Sequence, residues 1–179
     1  MVPEAPLEQT EAGLRPAGEG WFVLNAREAA WQESAGRGGY CKFEGEPRFS
    51  QLGIQLRALG PGEPMSMYHW EADQEDFLVL AGEGQLVIEG EERSLRRWDF
   101  VHCPARTNHV IVATGDAPLV VLAVGARVLS TGPDWGGYTV DEAAIRLGAG
   151  VEQETNDPDV AYAKFPKSQM TRYGGWLPD

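Results

Sequence analysis

The sequence predicts a mainly all-β protein, an antiparallel β-sandwich or barrel with short N- and C-terminal helical extensions. Three observations lead there. The central block is a run of short stretches with alternating or continuous apolar character, such as Leu52, Ile54, Leu56 and Ala58 interleaved with Gln51, Gly53, Gln55 and Arg57. The breaks between these stretches (Ala81-Gly82-Glu83, Glu89-Gly90-Glu91, Pro104 to Asn108, Thr114 to Pro118) suit hairpins and leave no room for crossover helices. Finally, 22 glycines and 12 prolines in 179 residues supply the turns that many short strands need.

Taken in order, residues 1–20 carry Glu4, Glu8, Glu11 and Glu19 among Pro and Gly, which reads as a flexible acidic tail. With neither a basic start nor an apolar stretch, it does not read as a secretory signal. Residues 21–48 read as an arm. Trp21 to Leu24 forms a short strand there, and Asn25 caps a helix over Ala26 to about Ser34, with Gly36 just past its end. The barrel spans residues 49–128. Its strands are expected at Ser50–Leu59, Met65–Glu71, Asp76–Leu80, Gly84–Glu89, Arg93–Leu95, Asp99–Cys103, His109–Ala113 and Leu119–Val124. A C-terminal extension, residues 129–179, follows breaks at Thr131-Gly132-Pro133 and Gly136-Gly137. It holds a helix over Asp141–Leu147 stopped by Gly148, and another capped by Asp157-Pro158 and running to about Lys164. The aromatic end, Tyr173 to Pro178, suits covering an edge strand of this chain or of a neighbour.

Charge and composition exclude several classes. A formal charge of −12, with Arg96-Arg97 the only adjacent basic pair, argues against a nucleic-acid partner and an anionic membrane surface. The longest apolar run, Leu119 to Gly125, fits a buried strand and is too short to span a bilayer. A cytoplasmic location follows as the default. Cys41 and Cys103 are too few for a disulfide framework and lack CxxC spacing, so they read as reduced, buried thiols.

The chemistry concentrates in residues 62–82 and 104–109. On an extended strand His69 and Glu71 project to one face, and Glu75 opens the next strand in phase with Phe77 and Val79. His109 begins a later strand and shares a face with Ile111. Imidazoles and carboxylates converging from separate strands make a donor set for one divalent transition metal, Fe, Mn, Zn or Ni. Singly, each residue has a plainer reading: a hydrogen-bonded strand histidine, or a solvated acidic loop at Glu71, Asp73, Glu75 and Asp76. His102, on a strand face with Phe100, reads as structural, with a role beside the metal or as a proton shuttle as the alternative. Met65, Met67, Phe77 and Val79 read as barrel lining that makes the site apolar and suits a small organic ligand.

The segment His69-Trp70-Glu71-Ala72-Asp73-Gln74-Glu75, followed after six residues by Gly82, resembles the first motif of the cupins. Pro104-Ala105-Arg106-Thr107-Asn108-His109 resembles the second. The resemblance covers about Leu52 to Gly125 and implies a jelly-roll barrel with a metal held inside by His69, Glu71, Glu75 and His109. Glu71 stands where the motif has a histidine, which leaves the metal's identity open. Arg106 stands where it has a glycine, so the turn must avoid positive φ or accept strain. The Arg106 guanidinium either lies exposed or faces the barrel mouth to pair with an anionic substrate.

Two functions follow as expectations. The first is a small-molecule metalloenzyme of oxygenase, isomerase or lyase type, with Glu71 as general base if it does not bind the metal. The alternative is a non-catalytic barrel that binds a sugar or organic acid. A homodimer is expected from the resemblance and from Trp- and Gly-rich flanks able to exchange between barrels.

Overall fold

The computed structural model describes residues 1–129, 132 and 134–178. The barrel strands form where alternation and short turns placed them: β5 (Leu52–Leu59), β6 (His69–Glu71), β7 (Glu75–Ala81), β8 (Glu83–Ile88), β9 (Glu91–Arg96), β10 (Phe100–Cys103), β11 (His109–Ala113) and β12 (Leu119–Ala126). Before them come β1 (Leu7–Thr10), β2 (Gly13–Pro16), β3 (Trp31–Glu33) and β4 (Gly39–Cys41). After them come β13 (Gly136–Tyr138), α1 (Glu142–Arg146), α2 (Pro158–Ala161) and β14 (Gln169–Thr171). Gly82, between β7 and β8, turns at φ +75°, and a Cβ there would meet the Pro118 carbonyl oxygen at 2.4 Å. No other residue type fits that turn.

Two antiparallel sheets pack face to face, one in the order β10-β7-β12-β5-β4-β3-β14 and the other β13-β6-β11-β8-β9. Between them lie Leu59, Phe77, Val79, Val101, Cys103, Leu119 and Val121 from the first and Leu86, Leu95, Ile111 and Ala113 from the second. Each fully buried Leu, Val or Phe contributes about 2 kcal/mol. Both sheets are also covered outside. Trp31, Cys41, Leu56, Ala58 and Val120 form a second cluster, with Trp176, Tyr173 and Leu177 packed against it. Ala144 and Ala149, around α1, cover Tyr68, Val87, Val110 and Val112.

This double cover corrects the reading of β5. Its alternating apolar set, Leu56 and Ala58, faces the outer cluster, while Leu59 points into the barrel. Arg57, in phase with Leu59, therefore turns inward.

Three further expectations are overturned. Residues 1–20 are no loose tail: β1 and β2 form a hairpin, and the Ala5 and Trp21 backbones hydrogen-bond at 2.8 Å. The helix expected over Ala26–Ser34 is a single turn. Asn25 Oδ1 does accept from the Arg27 amide at 2.9 Å. The chain then straightens into β3, because Trp31 is drawn fully into the outer cluster and β3 pairs with β4 and β14. Trp21 to Leu24 contributes only an isolated bridge at Trp21, paired with Glu4. At the other end, the helix expected over Asp141–Leu147 forms as α1, with Asp141 capping it by accepting from the Ala144 amide. Gly148 follows at φ +72°, whereas α2 stops at Ala161, short of Lys164. Thr131 and Pro133 lie outside the described residues. The aromatic C-terminus folds onto its own barrel, with Trp176 5.1 Å from Trp31 between ring centroids. Among the described residues no helix is long and apolar enough to cross a membrane.

Candidate metal centre

Strands β6 and β11 pair antiparallel with His69 directly opposite His109. Cross-strand partners on one face lie close, and the two imidazole centroids are 4.9 Å apart. Glu75, at the start of β7, enters from the facing sheet. Its Oε2 lies 3.3 Å from His109 Nε2 and 3.8 Å from His69 Nε2. The donor atoms of His69, Glu75 and His109 all lie within 4.8 Å of one another.

Backbone carbonyls set the histidine tautomers. His69 Nδ1 is 2.8 Å from the Met67 carbonyl oxygen and His109 Nδ1 is 3.0 Å from that of Thr107. A carbonyl only accepts, so each Nδ1 carries the proton and each Nε2 of the neutral ring presents a lone pair. That is how a metal-binding histidine is oriented. His109 Nε2 and Glu75 Oε2 are buried and make no hydrogen bond, their 3.3 Å approach being misaligned for one. Leaving such groups unsatisfied costs about 1–3 kcal/mol each. Two imidazole nitrogens and a carboxylate oxygen converge there, and with the Nε2 protons displaced they fit one divalent transition metal.

The electrostatics agree. Burial opposes charge on Glu75, but His109 and His69, with Arg57 farther off, outweigh it and hold the carboxyl below its ordinary range. Burial likewise opposes charge on His109, but the Cys103 and Glu75 side chains raise its proton affinity to about 10. The cluster draws a positive charge inward.

The other expected residues separate. Glu71 stands on the same face as His69, with Oε1 3.7 Å from His69 Nε2 and its side chain 25 % exposed. It lies outside the group of three. Phe77 packs its ring 5.2 Å from His109, and Met67 is buried with Tyr138, Val151 and Ala161. His102 is not beside the centre: it lies on the outer face of β10, half exposed, with Nδ1 2.6 Å from Asp76 Oδ1. Period two put it opposite Val101 and Cys103, which take the interior. Arg106 accepts the strain, at φ +69°. Its amide donates to the Glu71 carbonyl at 2.7 Å, and its exposed guanidinium lies 5.0 Å over the Trp70 ring, away from the interior.

Sequence reasoning missed Tyr138. It pairs with His69 across β13 and β6, and its ring lies 5.8 Å from that imidazole. Burial first, then Tyr162 and Glu71, push its hydroxyl far above the tyrosine range, so it stays protonated. Nothing in the Gly136-Gly137-Tyr138 pattern marks this, because the pairing depends on where the extension returns to the barrel.

Residues 55–125 match the family model described as the cupin domain. Residues 55–125 thus form a cupin domain. Solved structures similar to this chain include one assigned as a sugar phosphate isomerase from Acidithiobacillus ferrooxidans, at 32 % identity over 44 % of this chain and 51 % of that one, TM-score 0.42. Another is a cupin-superfamily sugar phosphate isomerase from Silicibacter pomeroyi, at 30 % identity over 50 % and 59 %, TM-score 0.46. A third is the polyketide cyclase RemF from Streptomyces resistomycificus, at 15 % identity over 53 % and 68 %, TM-score 0.46. The chain thus spans 51 % and 59 % of the two isomerase structures. No curated protein matches it.

Proposed function

We propose that this protein is a metalloenzyme acting on a small organic molecule, with one divalent transition metal held by His69, Glu75 and His109. The observation behind this is the convergence of three buried donors, two of them without any hydrogen-bond partner. Two imidazoles and one carboxylate leave coordination positions open, and a bound ion would supply Lewis-acid polarisation of a substrate oxygen or, as iron, oxygen chemistry.

The chain's own residues supply the rest. Glu71, beside the three donors and partly exposed, is placed to take a proton from a substrate. Tyr138, kept protonated by burial, is placed to donate a hydrogen bond. Phe77 and Met67, both 1 % exposed, keep water from the inner side. A carboxylate free to accept a proton favours isomerase or lyase chemistry over a barrel that only binds. The reading places the enzyme in the cytoplasm as a homodimer. A solution mass equal to the 19.6 kDa of one chain would contradict the dimer.

Metal content of three variants tests the assignment. Glu75→Gln and His109→Ala are expected to lose the ion, while Glu71→Gln keeps it. Loss in Glu71→Gln would make Glu71 a ligand. Retention in both of the others would refute the site.

A further inference from the structure

Two arginines, Arg37 just before β4 and Arg57 in β5, lie near enough for the charge of one to act on the other. Arg57, 8 % exposed, sits opposite Val121 and points inward like Leu59. A guanidinium has five N–H donors. Among the described residues the Arg57 group makes one hydrogen bond, to the Met65 carbonyl oxygen, and its plane lies 4.8 Å from the Tyr40 ring. Arg37 lies 4.1 Å over the Tyr162 ring, with its Nε buried and unpartnered.

Tyr162 links this pair to the metal centre. Its hydroxyl accepts from the Met67 amide at 3.2 Å, and its ring stands edge-on to Tyr138 at 5.6 Å. Tyr138 in turn lies 5.8 Å from His69. Among the described residues neither arginine has a carboxylate within ion-pair distance, the interior Glu75 being drawn to the histidines instead. Burial first, and the Arg37 charge second, lower the proton affinity of Arg57 to about 10. A guanidinium held out of water beside a second like charge is costly unless an opposite charge joins them.

We infer that Arg57 and Arg37 form an anion subsite, which takes the phosphate or carboxylate group of the molecule that reaches the metal centre. Planar guanidinium groups suit both oxyanions because they donate in pairs. Arg106, stacked outside on Trp70, takes no part. The link to a substrate rests on the enzymatic reading above, whereas anion binding itself does not.

Titration calorimetry of the full-length protein with inorganic phosphate and with acetate tests this, with metal content measured on the same samples. At least one anion is expected to bind, and to bind tenfold or more weakly in Arg57→Met and Arg37→Gln at unchanged metal content. Binding of phosphate alone assigns a phosphorylated ligand, and binding of acetate alone a carboxylate. If neither anion binds the wild type, or both variants bind as it does, the subsite is refuted. If circular dichroism shows Arg57→Met unfolded, Arg37→Gln decides, since that side chain is only partly buried. Anion binding without metal would refute the enzymatic reading alone, and metal without anion binding the subsite alone.

Discussion

The barrel interior has two ends that differ in kind. At one, Leu59, Val79 and Leu119, all 0 % exposed, pack with Leu95 and Ala113 and bring no polar side chain. At the other, His69, Glu75 and His109 are packed almost as tightly, yet Glu75 Oε2 and His109 Nε2 find no hydrogen-bond partner. The same strands build both ends: β7 runs from Glu75 to Ala81, and β11 from His109 to Ala113. One end supplies stability, and the other forgoes some of it to hold donors ready for a ligand, as functional sites do.

Substitutions can sharpen this contrast. Leu119→Ala, at the apolar end, is expected to lower the unfolding free energy by about 3 kcal/mol through the lost contacts and the cavity left behind. Urea denaturation would show it, with metal content per folded chain unchanged. At the polar end stability should depend on ligand. A divalent metal at one hundred times its dissociation constant is expected to raise wild-type stability by about 2.7 kcal/mol. His109→Ala should gain nothing in the same melting experiment.

A smaller effect is expected at the rim of the polar end. Arg127, beyond β12, makes paired 2.8 Å hydrogen bonds to the Glu44 carboxylate and ties the arm to the barrel. Burial raises the Glu44 carboxyl, but hydrogen bonds from Arg127 and the Phe49 amide and the charges of Arg127 and Lys42 outweigh it and hold it below its ordinary value of 4.5. A carboxyl lowered on folding stabilises above its unfolded value and loses that contribution as pH falls through its folded value. Arg127→Ala should therefore cost about 2 kcal/mol at neutral pH. The difference from wild type should shrink once the pH drops below about 4.5. Equal differences at pH 7 and pH 3 would rule out the ion pair as the cause. The smallest effect belongs to His102→Ala on the outer face, below about 0.5 kcal/mol and without metal loss, since exposed ion pairs contribute little.

How far the sequence reached follows from which forces set each element. His69, Glu75 and His109 stood out because strand phase places side chains by parity and because their spacing resembles the two cupin motifs. Arg57 escaped because parity says which residues share a face but not which face is inside. The apolar partners Leu56 and Ala58 are buried by Trp31 and Trp176, side chains far away in sequence. The β1–β2 hairpin escaped for another reason: backbone pairing among Glu8, Gln9, Leu14 and Arg15 holds it, and that leaves no apolar periodicity. Asn25 signalled a cap truthfully, but pairing of β3 on both edges overrode the helix it would have started. His102 and Arg106 fell on or beside motif positions while their side chains turned outward, which spacing alone does not report.

The most direct test is elemental analysis of the full-length protein purified without chelator or a histidine tag, alongside His109→Ala. Close to one transition-metal ion per chain in the wild type, and none in the variant, is the predicted result. A wild type with no metal even after reconstitution, or a variant that keeps it, would contradict the assignment of this end of the barrel as a metal centre.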